Sequence, residues 1–216
     1  MADITFYLPS AGAAPHDCAY SASWDNTESA VRYPLLTTRG TTDIAVLLCH
    51  RHNGQHTGLG GQWVSAALSA RSYTTSDTFD FVILCQDDSG SGSSSLYLTI
   101  RVFNAAGDTV VGTLYDGNVN TVVWNGAAPQ SRHADGIAVQ NNVDLPENGH
   151  IVVEVGFHDP YAATFSNKIF PQDLGATPLA LSDTDTAQNK HPFLAFTYGT
   201  PPVTTYDNDI VVVFES

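Results

Sequence analysis

The amino-acid sequence predicts an all-β chain: one antiparallel β-sandwich or jelly-roll-like domain over residues 35–216, preceded by a strand and an extended N-terminal arm over residues 1–34. Three observations predict it. About thirteen short runs rich in β-branched and aromatic residues recur, separated by Gly, Asn, Asp and Ser turns. No stretch between them carries a convincing amphipathic helical period, which argues against βαβ units. The 216 residues fall within the size at which sandwiches and barrels stay undivided, roughly 200–250 residues. With 43% apolar and 14% charged residues, the chain has the composition to fold around a large core without disulfides or metals.

The elements follow in order. Ile4–Leu8 reads as a first strand. Residues 9–34 are poor in strand pattern and rich in Ala, Ser, Gly and Pro, an arm laid over its own sandwich or a neighbour's, with Trp24 and Tyr33 as anchors. Ile44–His50 is a continuous apolar run, as for a strand buried on both faces. Trp63–Ala70 is a further strand. Phe79–Gln86 and Ser95–Phe103 flank a Gly/Ser tract and form a hairpin. Within the second, Leu96, Leu98, Ile100 and Val102 alternate with Tyr97, Thr99, Arg101 and Phe103, so one face is core. Thr109–Tyr115 and Val119–Trp124 are strands joined by a turn at Asp116–Asn118; Asn125–Asp135 is loop and Gly136–Val139 a short strand. His150–Phe157 is the clearest strand of the second half. Residues 159–192 are mostly irregular, with a weak strand at Phe165–Phe170 and a contact loop at Gln172–Lys190. Phe193–Tyr198 and Asp209–Phe214 close the chain.

Charge excludes some partners. The net charge is −14, and affinity for nucleic acid comes largely from Lys and Arg neutralising phosphates. Neither nucleic acid nor an anionic membrane is an expected partner. The odd count of 3 cysteines (Cys18, Cys49, Cys85) gives no complete disulfide framework, and Cys49 and Cys85 read as buried thiols. The N-terminus lacks a basic segment followed by an apolar one, so no signal peptide is expected, and no run is long enough to span a bilayer.

Constellations with chemistry are few. His50, His52 and His56 form H-x-H-x3-H, a weak metal candidate, because zinc needs three or four convergent ligands and no fourth is evident. A polar loop with exposed histidines is the preferred reading. Residues 116–127 fail as a calcium loop, with Thr121 and Ala127 where Gly and Glu belong. Asp183/Asp185 and Asp207/Asp209 read as solvated pairs, and Glu154 as solvent-facing. No G-x-S-x-G elbow and no phosphate-binding Gly loop occurs. Trp24, Trp63 and Trp124 could stack on sugars but read first as core or interface. No catalytic residue and no cofactor is expected.

Four segments carry a resemblance. They are Ile4–Ser10 with Gly12–Pro15; Leu98–Val102 with Gly107–Leu114; Ile151–Phe157; and Pro192–Phe196 with Asp209–Phe214. Together, and distributed over most of the chain, they resemble β-sandwich virion proteins of tailed bacteriophages. That resemblance implies a structural protein assembled in the host cytoplasm. The acidic surface favours the capsid exterior, as a decoration (cement) protein bound to the major capsid protein and to neighbouring copies of itself. Its expected contact residues are Pro9, Pro15, Trp24 and Tyr33 on the arm and Leu174 and Leu179 on the long loop. Deletion of residues 1–15 is then expected to leave a folded domain that no longer binds its particle. The alternative is a carbohydrate-binding module, tail-associated or free, reading host-surface glycan through Trp63 or Trp124.

Overall fold

The alternation over Ser95–Phe103 becomes a strand whose two sets of side chains part as the pattern requires. Leu96, Leu98, Ile100 and Val102 enter the main core, and Tyr97, Thr99, Arg101 and Phe103 face the other way. In the computed structural model, residues 4–38, 46–87, 94–120, 130–161, 164–170 and 193–198 are described, and they contain strands but no helix. In chain order the strands are β1 (Ile4–Tyr7), β2 (Val31–Leu35), β3 (Leu47–Arg51), β4 (Thr57–Ser65), β5 (Arg71–Tyr73), β6 (Thr78–Asp87) and β7 (Ser95–Phe103). The rest are β8 (Val110–Asn120), β9 (Gln130–Ala138), β10 (Val143–Leu145), β11 (His150–His158), β12 (Phe165–Phe170) and β13 (Phe193–Thr197).

Two sheets enclose one principal core. The five-stranded sheet has the order β2-β4-β11-β7-β8, antiparallel except for the parallel pair β2–β4. The six-stranded sheet runs β1-β13-β6-β12-β3, with β9 on the remaining edge of β6. Strand β6 is long enough for β13 to pair along Thr78–Val82 and β12 along Leu84–Asp87. At one corner Tyr7 and Leu36 exchange backbone hydrogen bonds of 2.7 and 3.1 Å and tie the sheets together. The small β5–β10 sheet adds Tyr73, Val143 and Leu145 to the same core.

The centre of the five-stranded sheet is covered on both faces. On β11, Ile151, Val153, Val155 and Phe157 enter the core between the sheets. Their alternates, Val152, Glu154 and Gly156, face outward from the sheet yet are buried. The cover is the chain's own N-terminal segment, residues 9–30. On the outward face the His16 ring lies 4.2 Å from that of His150, and Cys18 packs with Val64, Phe103 and Val152 in a second cluster; on the core side, Trp63 donates its indole N–H to the Pro9 carbonyl at 2.8 Å. The arm is therefore laid on its own sandwich. The boundary at residue 34 falls inside β2, and β1 contributes Phe6, fully buried, to the core. Removing residues 1–15 takes Phe6 and Leu8 out of the core along with part of the arm, so the packing predicts a loss of stability in the remainder.

Several expected boundaries shift for physical reasons. Strand β3 is not buried on both faces: Leu47, Cys49 and Arg51 are buried while Leu48 is 38% exposed. Strand β4 begins at Thr57, inside the Gly-rich stretch expected as loop, and ends at Ser65. Those glycines permit close approach: a Cβ on Gly60 would lie 2.3 Å from the Cys49 sulfur. The turn expected at Asp116–Asn118 is instead continuous strand in β8, whose register against β7 slips at three places. Such bulges bend an edge strand and discourage further pairing. Strand β9 starts within the expected loop, and the three-residue β5 and β10 went unforeseen.

Candidate functional site

The register places one polar row across the outward face of the five-stranded sheet. Arg32 on β2 pairs with Gln62 on β4, Gln62 with Glu154 on β11, Glu154 with Thr99 on β7, and Thr99 with Asp116 on β8. Glu154, fully buried, is the hub. Its Oε1 accepts from Arg101 Nη2 at 2.6 Å and Gln62 Nε2 at 2.9 Å; its Oε2 accepts from Thr99 Oγ1 at 2.7 Å and Trp24 Nε1 at 2.8 Å. The Ser21 amide reaches both oxygens at 3.2 Å. A buried carboxylate persists only when paired and hydrogen-bonded, and here donors from two strands, β4 and β7, and the arm meet that demand.

The rest of the row seats the arm. Arg101 Nη2 also donates to the Ala19 carbonyl at 2.7 Å. Arg32 donates to Gln62 and to the Cys18 carbonyl, lies 4.0 Å from the Tyr20 ring and pairs with Asp17 at 2.8 Å. Ser23 and Tyr97 donate to the two oxygens of Asp116. Burial, with Asp116 beside it, pushes the Tyr97 phenol up from its ordinary range. Burial likewise pushes the Cys18 thiol up to about 11, against the pull of Arg101 and Arg32. Trp24 lies over Gly156, where a Cβ would come within 2.6 Å of the indole, and meets the Tyr97 ring edge-on at 5.2 Å. Gly156 makes the seat because nothing larger leaves room.

A second buried ion pair lies at one end of the sandwich. Arg51 Nη2 stands 3.3 Å from Asp159 Oδ2 and its Nη1 donates to the Asp159 carbonyl at 2.9 Å, with both side chains buried. The other Asp159 oxygen accepts from the Tyr161 amide at 2.7 Å and so fixes a turn. His56 bonds the Asp159 carbonyl through Nδ1, and Asp25 accepts the amides of His56 and Thr57 at 2.7 and 2.9 Å.

The expected site residues part company here. Pro9 and Trp24 are buried against the chain's own sheet, Tyr33 is half-buried against Trp63, and Pro15 is exposed. Leu174, Leu179, Trp124, the two Asp pairs near the C-terminus and the strand expected at Asp209–Phe214 lie outside the described residues. Trp63 is fully buried core and offers no platform for a sugar. His50, His52 and His56 do not converge: His52 pairs with Glu28 at 3.1 Å while His56 turns to Asp159. Among the described residues no three His, Cys, Asp or Glu side chains are grouped to hold a metal ion. Glu154 corrects the solvent-facing expectation, since outward from the sheet is inward to the arm. Val152 and the neighbouring apolar residues on both faces of β11 were the available signal.

No protein-family model matches the chain, and no curated protein matches it. Among solved structures it is similar to a CocE/NonD family hydrolase from Staphylococcus aureus (7% identity, TM-score 0.46, covering 90% of this chain and 36% of that one). It is also similar to a structure of infectious bursal disease virus, Gt strain (13% identity, TM-score 0.37, covering 88% and 37%). A third is the VP2 protein of that virus in derived T=1 particles (10% identity, TM-score 0.23, covering 88% and 40%). The chain spans less than half the length of each. Among the described residues no helix is long and apolar enough to cross a membrane.

Proposed function

We propose that this chain is a virion structural protein of a tailed bacteriophage, a decoration (cement) protein on the head exterior that binds the major capsid protein. The observation that carries the reading is how the arm is held. Within the arm, residues 17–24 are bonded across the width of one sheet by Arg32, Glu154, Arg101 and Asp116, which ties the arm to the sheet it covers. Both oxygens of the most enclosed acid, Glu154, are occupied by donors of the same chain, as suits a scaffold rather than acid–base chemistry. Support also comes from where the resembling segments lie: among the described residues, all but Gly12–Pro15 overlap β1, β7, β8, β11 and β13, which belong to both sheets. An acidic exterior suits a position away from packaged DNA.

This placement of the arm alters the expected mode of binding. Pro9 and Trp24 are engaged in cis, so contact with the shell falls to surfaces that remain exposed. Immunogold electron microscopy of purified particles tests the role. Even labelling over the head is the expected result. Labelling confined to the tail would overturn the head assignment, and unlabelled particles would overturn the virion role.

A further inference from the structure

Two features of the Asp159 end have no part in holding the arm. Tyr161 is 73% exposed, and Val46, the next most exposed large apolar side chain among the described residues, reaches only 46%. The backbone at Tyr161 is also anchored. Its amide is bonded to Asp159, whose carboxylate meets the buried Arg51 guanidinium and whose carbonyl is bonded by both Arg51 and His56. A buried ion pair adds little net stability, because desolvation offsets most of the attraction. Fixing the position of an exposed turn is a use that such a pair does serve. Tyrosine, with few rotatable bonds to fix, loses little entropy on contact and is a common anchor of protein interfaces.

The charge around it selects the partner. Among the described residues every exposed charged side chain is acidic, while no described arginine or lysine is exposed. Asp25 and Glu28 lie on the same rim, joined to the His52–His56 turn by the bonds of Asp25 to the His56 amide and of Glu28 to His52. An exposed aromatic ring at an end of the sandwich that also carries carboxylates suits a guanidinium or ammonium group, which the ring attracts on contact and the acids attract over a longer range.

We infer that the Tyr161 turn, with Asp25 and Glu28, is a docking point for an arginine- or lysine-bearing surface of another protein. This names the contact that the proposed virion role would use, and to that extent it rests on that reading.

The test is an NMR titration of the intact protein with a tri-arginine peptide at low salt. Saturable shifts centred on Tyr161, Glu28 and His52 are expected. They should weaken about tenfold in Tyr161→Ala, persist in Tyr161→Phe, diminish in Glu28→Gln, and fade as salt rises to ~0.5 M. Shifts spread evenly over Asp17, Asp108 and Asp144 would overturn the inference. So would a response to a neutral oligosaccharide at this turn with none to the peptide. Co-sedimentation with particles stripped of the protein separates the two claims. Retention of the wild type with equal retention of Tyr161→Ala sinks the docking point alone. Failure of the wild type itself to bind sinks the virion role and leaves the peptide titration to decide the docking point.

Discussion

Arg101–Glu154 and Arg51–Asp159 are both arginine–carboxylate pairs buried beside β11, yet they serve opposite directions. Glu154 sits mid-strand and gathers Gln62, Thr99, Trp24 and Ser21, so that each bond draws a piece of the chain inward. Asp159 sits one residue past the end of β11 and uses its second oxygen to hold Tyr161 outward. The same chemistry closes the fold at one site and projects a side chain at the other. What differs is what lies over the pair: an arm in the first case, solvent at Tyr161 in the second.

The largest expected effects come from removing each acid. Glu154→Ala strands the Arg101 charge and leaves Trp24, Gln62 and Thr99 without their acceptor, at a cost of about 3–5 kcal/mol. Asp159→Ala should cost less, about 1–3 kcal/mol, because its carboxylate serves fewer donors, chiefly Arg51 and the Tyr161 amide, while a backbone carbonyl stays with each arginine. Urea unfolding measures both. Thiol labelling separates them further: Cys18 should become reactive in Glu154→Ala as the arm loosens, while Cys49 and Cys85 stay protected in the core. In Asp159→Ala all three should remain unreactive until unfolding. Labelling of Cys18 in both variants alike would remove the distinction between the two pairs.

A smaller effect sharpens the same contrast. Gly156→Ala puts a Cβ within 2.6 Å of Trp24 and 2.1 Å of the Gly58 carbonyl oxygen. Both the Gly58 backbone and the indole must move, at a cost of about 1–3 kcal/mol. Hydrogen exchange should quicken at the Ser21 amide and stay unchanged at the Tyr161 amide. Equal protection of Ser21 in both proteins would show that Trp24 does not hold the arm.

The strands of strict alternation were legible in the sequence: β7 and β11 lie where the pattern puts them, and the two internal thiols are buried as expected. The Glu154 hub was not legible, because alternation tells which residues share a face and not what covers that face. The cover comes from residues more than 120 positions away: Trp24 and Glu154 are separated by 130. The Gly58–Gly61 stretch misled for a related reason. Glycine is poor in strands by propensity, yet here close packing against Cys49 and His50 requires it. Asp116–Asn118 has turn chemistry that a bulged edge strand absorbs.

The mildest test of the contrast is pH. His158, at the outer end of β11, faces His56, Asp159, Arg51 and Asp25. Burial, reinforced by the His56 charge, holds its imidazole below the ordinary value of 6.5. The unfolded chain therefore takes up this proton first as the solution is acidified. The contribution is fully present above 6.5 and is lost as pH falls from there to the depressed folded value. Asp25 adds a separate loss under more acid conditions. Burial works to raise it, but the amides of His56 and Thr57 outweigh that and leave it below 3.8, so its contribution disappears as pH falls through the lowered value. The thermal midpoint should thus decline modestly between about pH 7 and pH 5, and His158→Gln should flatten that part of the slope. A slope unchanged in the variant would assign the acid sensitivity elsewhere and leave the Asp159 end no more pH-responsive than the arm.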